Sequence, residues 1–254
     1  MNRLTTQLII AAVSLLMISG SAYSLPKMML KNTTSNLHQA EYVKDIGVLT
    51  ALAENQNDYA KFALGVMHEF GLAGIPTNIE TAEYWYRKAA DDGYARAQHK
   101  LGDWYAKGVP GQRDYEQAVK WWAKAAEQNH PQSQYKLAYA YQTGKGRLLK
   151  DYKQAIYWYE KSAIHGDPDA QVKLGLAYYL GKVVDRDEKK AADWYKRSAA
   201  QNNYNAQYFL GLALCEGRGV SQDLGQCASW IRKAHENGDP NASKVWEKYE
   251  LWEY

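Results

Sequence analysis

The chain has 254 residues, with 31 basic and 28 acidic side chains for a formal charge of +3, and 46% of its residues are hydrophobic. That balance excludes a disordered, fibrous or polytopic membrane chain, and the overall field is too weak to favour nucleic acid as a partner. Two cysteines are too few for a disulfide scaffold or a cysteine-only zinc site. Tyr (21) and Trp (9) far outnumber Phe (3); rings with one polar atom suit boundaries where one edge stays wet.

In chain order, Arg3 precedes an apolar run from Leu8 to Ile18, followed by Ser19, Gly20, Ser21 and Ala22. This is the order of a secretory signal, expected over residues 1–24 with cleavage after Ala22 or Ser24. The run falls short of the ~20 residues that span a bilayer as a helix. The alternative, an uncleaved anchor continuing through Leu25 to Leu30, is interrupted by Pro26 and Lys27. No cysteine lies near the cleavage point, which disfavours a lipid-anchored lipoprotein. Residues 25–38 read as a solvated linker and 39–57 as an N-terminal capping helix, with Val48 to Ala53 in the register of a second repeat helix.

Residues 58–241 then repeat one unit five times. Leu64-Gly65, Leu101-Gly102, Leu137-Ala138, Leu174-Gly175 and Leu210-Gly211 form one ladder, and Trp85, Trp121, Trp158, Trp194 and Trp230 a second in phase with it. Seven residues before each Trp stands Asn78, Asp114, Asp151, Asp187 or Asp223, types that cap a helix N-terminus. Gln117, Gln154 and Gln226 follow at the capping-box position. Eight residues after each Trp stands Gly93, Asn129, Gly166, Asn202 or Gly238, types that end a helix in left-handed geometry. Each unit is therefore a helix A, a glycine-containing loop and a capped helix B. Small residues at the Leu-Gly pair and at Ala82, Ala118, Ala155 and Ala191 let the two helices approach, with Trp and Leu expected to fill the groove alongside. Such hairpins must stack to bury their apolar stripes. The fold class expected is all-α, a right-handed superhelical solenoid of five units and about twelve helices, closed by a C-terminal cap over 242–254.

The pattern Ala-x-x-x-Leu-Gly-x-x-Tyr, Gly-x-Gly-Val, Asp-x-x-x-Ala-x-x-Trp-Tyr-x-Lys-Ala-Ala is plainest over Gln98 to Ala126 and Tyr208 to Ala234. It resembles the Sel-1-like repeat, a cousin of the tetratricopeptide repeat, over roughly residues 58 to 254. The resemblance implies a non-enzymatic adaptor for protein complexes in bacterial envelope or host-interaction settings. The loops Gly71–Pro76 and Gly144–Leu149 depart from the pattern. Family members imply several kinds of partner, including peptidoglycan-remodelling enzymes, envelope assemblies, secreted toxins and host proteins. A penicillin-binding or peptidoglycan-related hydrolase is the alternative, by analogy with relatives that carry a cysteine pair in every repeat.

Chemistry-bearing residues are few. The six histidines occupy different repeat positions, so no metal or cofactor site is expected. Ser133-Gln134-Tyr135-Lys136 spells the Ser-x-x-Lys nucleophile motif, but its partner motifs are missing and both residues flank the apolar stripe of a helix A. Gly144-Lys145-Gly146 lacks the spacing of a phosphate loop and reads as a turn. Cys215 and Cys227 fall on the two facing helices of the fifth unit and are expected to pair in an exported chain, with buried free thiols as the alternative. In related solenoids helix A lines the concave wall. That places His99, Asp103, Tyr135, Tyr139, Leu176, Tyr179 and Tyr208, with Val172 and Leu212, on a stripe suited to a protein or peptide partner. No nucleic-acid partner and no stable membrane insertion after signal cleavage are expected; oligomeric state is left open.

Overall fold

The computed structural model describes residues 46–109 and 111–254. The expected leader, the linker and the first part of the expected cap lie outside the described residues. The order of helices is α1 (46–54), α2 (Asp58–Phe70), α3 (Ile79–Asp91), α4 (Ala95–Lys107), α5 (Tyr115–Glu127), α6 (Pro131–Thr143), α7 (Tyr152–Ile164), α8 (Pro168–Leu180), α9 (Glu188–Ala199), α10 (Tyr204–Glu216), α11 (Leu224–Glu236) and α12 (Ala242–Lys248). Single 3₁₀ turns lie at Leu72–Gly74 and Leu251–Glu253, and no strand occurs among the described residues. The chain divides into two compact units, Met1–Leu101 and Gly102–Tyr254, with the division inside α4.

Local sequence explains the ends of the helices. Asn78, Asp114, Asp151, Asp187 and Asp223 each sit just before a helix B, and each side chain accepts a hydrogen bond from a backbone N–H of the first turn. At the far end Gly93, Asn129, Gly166, Asn202 and Gly238 all have positive φ, the left-handed geometry that stops a helix. The second glycine of two loops has a different reason to be small. A Cβ on Gly146 would meet the Tyr115 carbonyl oxygen and Val119, and one on Gly219 would meet the Glu188 carbonyl oxygen, so each loop leans on the helix B of the preceding repeat.

In the first unit, Ala53, Ala60 and Leu64 form a buried cluster against Leu49 and Trp85. In the second, successive clusters join neighbouring repeats and end in one around Leu210, Ile231 and Leu251. Within each hairpin the side chain that seats the two helices is one residue later than the sequence pattern indicates. Tyr86, Trp122, Tyr159, Tyr195 and Ile231 are the buried ones. A Cβ added at Gly65, Gly102, Gly175 or Gly211 would stand within 3.0 Å of Tyr86, Trp122, Tyr195 or Ile231, respectively. The third hairpin carries Ala138 against Tyr159 in one buried cluster. The ladder Trp residues lie one step, about 100°, around the helix. Trp85, Trp158, Trp194 and Trp230 are only half-buried, while Trp121 is buried. A cation from three residues downstream covers each: Lys88, Lys124, Lys161, Arg197 and Lys233 stand 4.2 to 5.9 Å from the ring centroids.

A buried glutamine on helix A ties the second, third and fourth repeats to their predecessors. The side-chain amides of Gln98, Gln134 and Gln171 donate to the carbonyls of Ala90, Ala126 and Ala163 at 3.0, 3.0 and 3.1 Å. These carbonyls lie in the last turn of a helix B, where intrahelical partners run out. Gln134 and Gln171 also receive contacts from their own repeats, from His165 Nδ1 and the Gln201 amide, both at 3.0 Å. Lys61 holds this place in the first repeat and is ion-paired with Asp58 and Asp92.

Cys215 and Cys227 are joined by a disulfide with Cα atoms 5.3 Å apart, and both are fully buried between α10 and α11. Native protein should therefore resist alkylation and gain two thiols after denaturing reduction. Closing a separation of 12 residues contributes about 3 kcal/mol in the loop-entropy account, to be read as the drop in unfolding free energy on reduction. Tyr159→Ala should cost about 3 to 5 kcal/mol and Trp158→Ala distinctly less in denaturant titrations; the reverse order would contradict the seating of the rings.

Candidate functional site

The predicted stripe does fall on the first helices of the hairpins. His99 and Asp103 are on α4, Tyr135 and Tyr139 on α6, Leu176 and Tyr179 on α8, and Tyr208 on α10. Packing claims several of these side chains. Val172 is buried in the core of the last repeats, and Leu176, Tyr208 and Leu212 pack against that core. Tyr208 also stands edge-on to Phe209, with centroids 5.3 Å apart. The Tyr135 ring lies 5.6 Å from that of Tyr159. Its hydroxyl is pushed up to about 12, first by burial and then by the nearby carboxylates of Asp169 and Asp167. His99 is half-buried on the part of α4 that belongs to the first unit.

Two predicted residues meet in one place. Asp103 and Tyr139 line a cleft of about 270 Å³ with Ala106, Lys107, Tyr115, Trp122, Lys136, Ala140 and Lys145. Asp103 Oδ1 accepts the Trp122 indole N–H at 3.1 Å. That bond fixes the orientation of the ring seated on Gly102. Lys145 Nζ lies 4.8 Å from the Tyr115 centroid and 5.2 Å from that of Tyr139, and Lys136 Nζ 5.9 Å from that of Trp122. Tyr139 is 38% exposed, which leaves part of its ring surface open to solvent.

Tyr179 lines a second, smaller cavity of about 70 Å³, with Tyr195, Phe209, Leu212, Glu216 and Arg218 among its walls. The Arg218 guanidinium donates to the Tyr179 hydroxyl and pairs with Glu216 at 2.8 Å. The Tyr195 hydroxyl is buried there without a hydrogen-bond partner among the described residues, and burial raises its pKa. By contrast, the equivalent Tyr86 and Tyr159 hydroxyls donate to Glu69 and Gln142 at 2.6 and 2.9 Å.

Neither cavity contains a nucleophile with its base. Ser133 is completely buried, and its hydroxyl lies 3.2 Å from His130 Nδ1 at the start of α6. A hydroxyl closed off from solvent cannot meet a substrate, so Ser-x-x-Lys is here a helix-start contact. No group of three or more His, Cys, Asp or Glu among the described residues is placed to hold a metal. Also among these residues, no helix is long and apolar enough to cross a membrane. The grouping of Lys107, Lys136 and Lys145 is not visible in the sequence, where Lys136 stands in the Ser-x-x-Lys run and Lys145 in a turn, because the three come from a helix end, a helix face and a loop. The glutamine ladder was open to view: Gln98, Gln134, Gln171 and Gln207 recur in step with the Leu ladder.

Fold and surface together define an all-α protein of tandem helix-turn-helix repeats, with clefts lined by first-helix side chains. The chain belongs to the Sel1 repeat family, whose repeat model matches residues 58–94, 95–130, 131–167, 168–203 and 205–239. It is 35% identical to a Sel1 repeat protein of Oxalobacter formigenes, with a TM-score of 0.72 over 82% of this chain and 83% of that one. It is 32% identical to c5321, a protective antigen of uropathogenic Escherichia coli strains with an SLR fold, with a TM-score of 0.69 over 82% of this chain and 46% of that one. A stretch of 71 residues is 32% identical to the Arabidopsis thaliana ERAD-associated E3 ubiquitin-protein ligase component HRD3A. The match covers 28% of this chain, which spans about a tenth of the length of that curated relative.

Asp167, which caps α8 by accepting from Ala170 N at 2.8 Å, gives this region a pH signature. Burial pushes its carboxyl up to about 6, against the opposing pull of that backbone bond. A raised carboxyl pKa means that the native state binds more protons than the unfolded chain between about pH 4 and 6, so stability falls as pH rises through that window. Asp167→Asn keeps the accepting oxygen and removes the charge. Thermal melts should show the variant more stable than the parent at about pH 7.5, by on the order of 2 kcal/mol. The two should converge near pH 3.5.

Proposed function

We propose that the chain is an exported, non-enzymatic Sel1 repeat scaffold that binds a protein partner in the bacterial envelope or outside the cell. The observation that carries this reading is the meeting of Asp103 and Tyr139 in the cleft of the second unit, where aromatic rings stand on packed, capped helices. A surface held in this way binds with little ordering cost. Export is supported by the leader-like order of residues 1–24 and by the buried disulfide, a bond suited to oxidising compartments. Regulation of an envelope enzyme, neutralisation of a toxin and recognition of a host protein all fit a scaffold of this kind.

Affinity capture from envelope extracts tests the reading, with the native chain set against the double variant Tyr139→Ser, Tyr179→Ser and circular dichroism confirming the helices. A protein retained by the native chain and lost from the variant is the expected result. Identical captured sets, or none above background, would overturn the assignment of the partner surface. Retention of a labelled β-lactam that disappears in Ser133→Ala would overturn the non-enzymatic reading.

A further inference from the structure

We propose that the cleft bounded by α4, α5, α6 and the loop after α6 receives the acidic side chains of an extended segment of the protein partner. This inference rests on the scaffold reading and specifies the chemistry of what the scaffold holds. Three lysines line the cleft: Lys107 from the end of α4, Lys136 from the middle of α6 and Lys145 from the following loop. None of the three forms an ion pair among the described residues. The one carboxylate in the lining, Asp103, holds the Trp122 indole. The adjacent Glu116 at the start of α5 is held by Lys120 at 2.9 Å and Arg147 at 3.1 Å.

Like charges in one concavity repel, and aromatic rings hold two of the three in place. Lys145 stands over Tyr115 and Tyr139, and Lys136 over Trp122. Attraction to a ring face holds an ammonium in place while leaving N–H donors for another acceptor. The cleft is therefore an arranged cationic surface on an aromatic floor, and its charge is complementary to carboxylates. Three separated point charges with no arginine fork in the lining suit several carboxylates spread along a chain better than one compact phosphate. At about 270 Å³ the space falls just below the usual range of sites for drug-sized ligands. It accommodates side chains of an extended segment, whose apolar neighbours can lie on Tyr139.

The probe is a blocked decapeptide in which Glu alternates with Leu, titrated into ¹⁵N-labelled full-length chain while the Trp122 indole N–H resonance is followed. Its control has Gln in place of every Glu. The Glu peptide should shift the Trp122 resonance and bind about tenfold or more tightly than the Gln peptide, more weakly as salt rises. The double variant Lys136→Gln, Lys145→Gln, checked for intact helices by circular dichroism, should lose about tenfold in affinity. Equal binding of the two peptides, or an unchanged affinity in the double variant, would overturn the proposal. Saturation by inorganic phosphate without binding of the Glu peptide would also overturn it, reassigning the cleft to a small anion. Should a captured partner depend on Tyr139 and Tyr179 while the Glu peptide fails to bind, the acidic segment falls and the scaffold reading stands.

Discussion

The hairpins depend on the contact between a missing side chain and a large one. At Gly65, Gly102, Gly175 and Gly211 the helix backbone is bare, and Tyr86, Trp122, Tyr195 or Ile231 lies against it too closely for a Cβ. Glycine inside a helix costs roughly 1 kcal/mol relative to alanine, so four such residues weaken four helices considered singly. That cost is offset by burying a large side chain almost completely, which contributes about 1.5 to 3 kcal/mol per residue, and by the close helix approach that lets the Ala82, Ala118 and Ala191 positions pack. The third hairpin shows that the rule has some slack, since Ala138 and Tyr159 are both buried there.

Polar contacts then fix how one hairpin follows another. An amide side chain such as Gln134, fully buried, would be costly if left unpaired. It answers a carbonyl at the end of the preceding helix B and meets His165 of its own repeat. Hydrophobic contact alone tolerates sliding, whereas a buried amide with defined partners does not. Inside the third and fourth hairpins, Ser162 and Ser198 donate to the carbonyls of Pro131 and Pro168 at the start of their own helix A, at 2.8 and 2.7 Å. The last repeat is finished differently. Gln207 accepts from Asn237 at 2.9 Å but its own amide nitrogen has no partner among the described residues, and the disulfide supplies a covalent tie in that hairpin.

Repeat length, helix ends and the cysteine pair were legible in the sequence because each is written in local chemistry. Asp151 before a helix and Gly166 after it act within a few residues of themselves, and their spacing repeats with the chain. Rotation about the helix axis is a different kind of information. Trp158 and Tyr159 are adjacent in sequence, so a pattern that marks both leaves open which of them faces helix A; Tyr159 does, and Trp158 is left half-buried under Lys161. The same ambiguity affected the predicted partner surface. Tyr139 and Leu176 each stand two residues after the Leu of their pair, yet Leu176 packs against the core and Tyr139 is 38% exposed.

Lysine illustrates why the cleft needed coordinates. On the exposed side of the hairpins, Lys88, Lys124, Lys161 and Lys233 follow their Trp by three residues, so one helical turn brings cation to ring, and the pairing is implied by the repeat itself. Lys107, Lys136 and Lys145 share no repeat position, and they meet only because α4, α5 and α6 fold against one another around Trp122. Periodic lysines shield the rings that their own helix exposes, a local arrangement worth little beyond solubility. A convergence from three elements has no such local cause in the repeat. The difference between the two sets separates the part of the surface that the repeat dictates from the part that is particular to this chain.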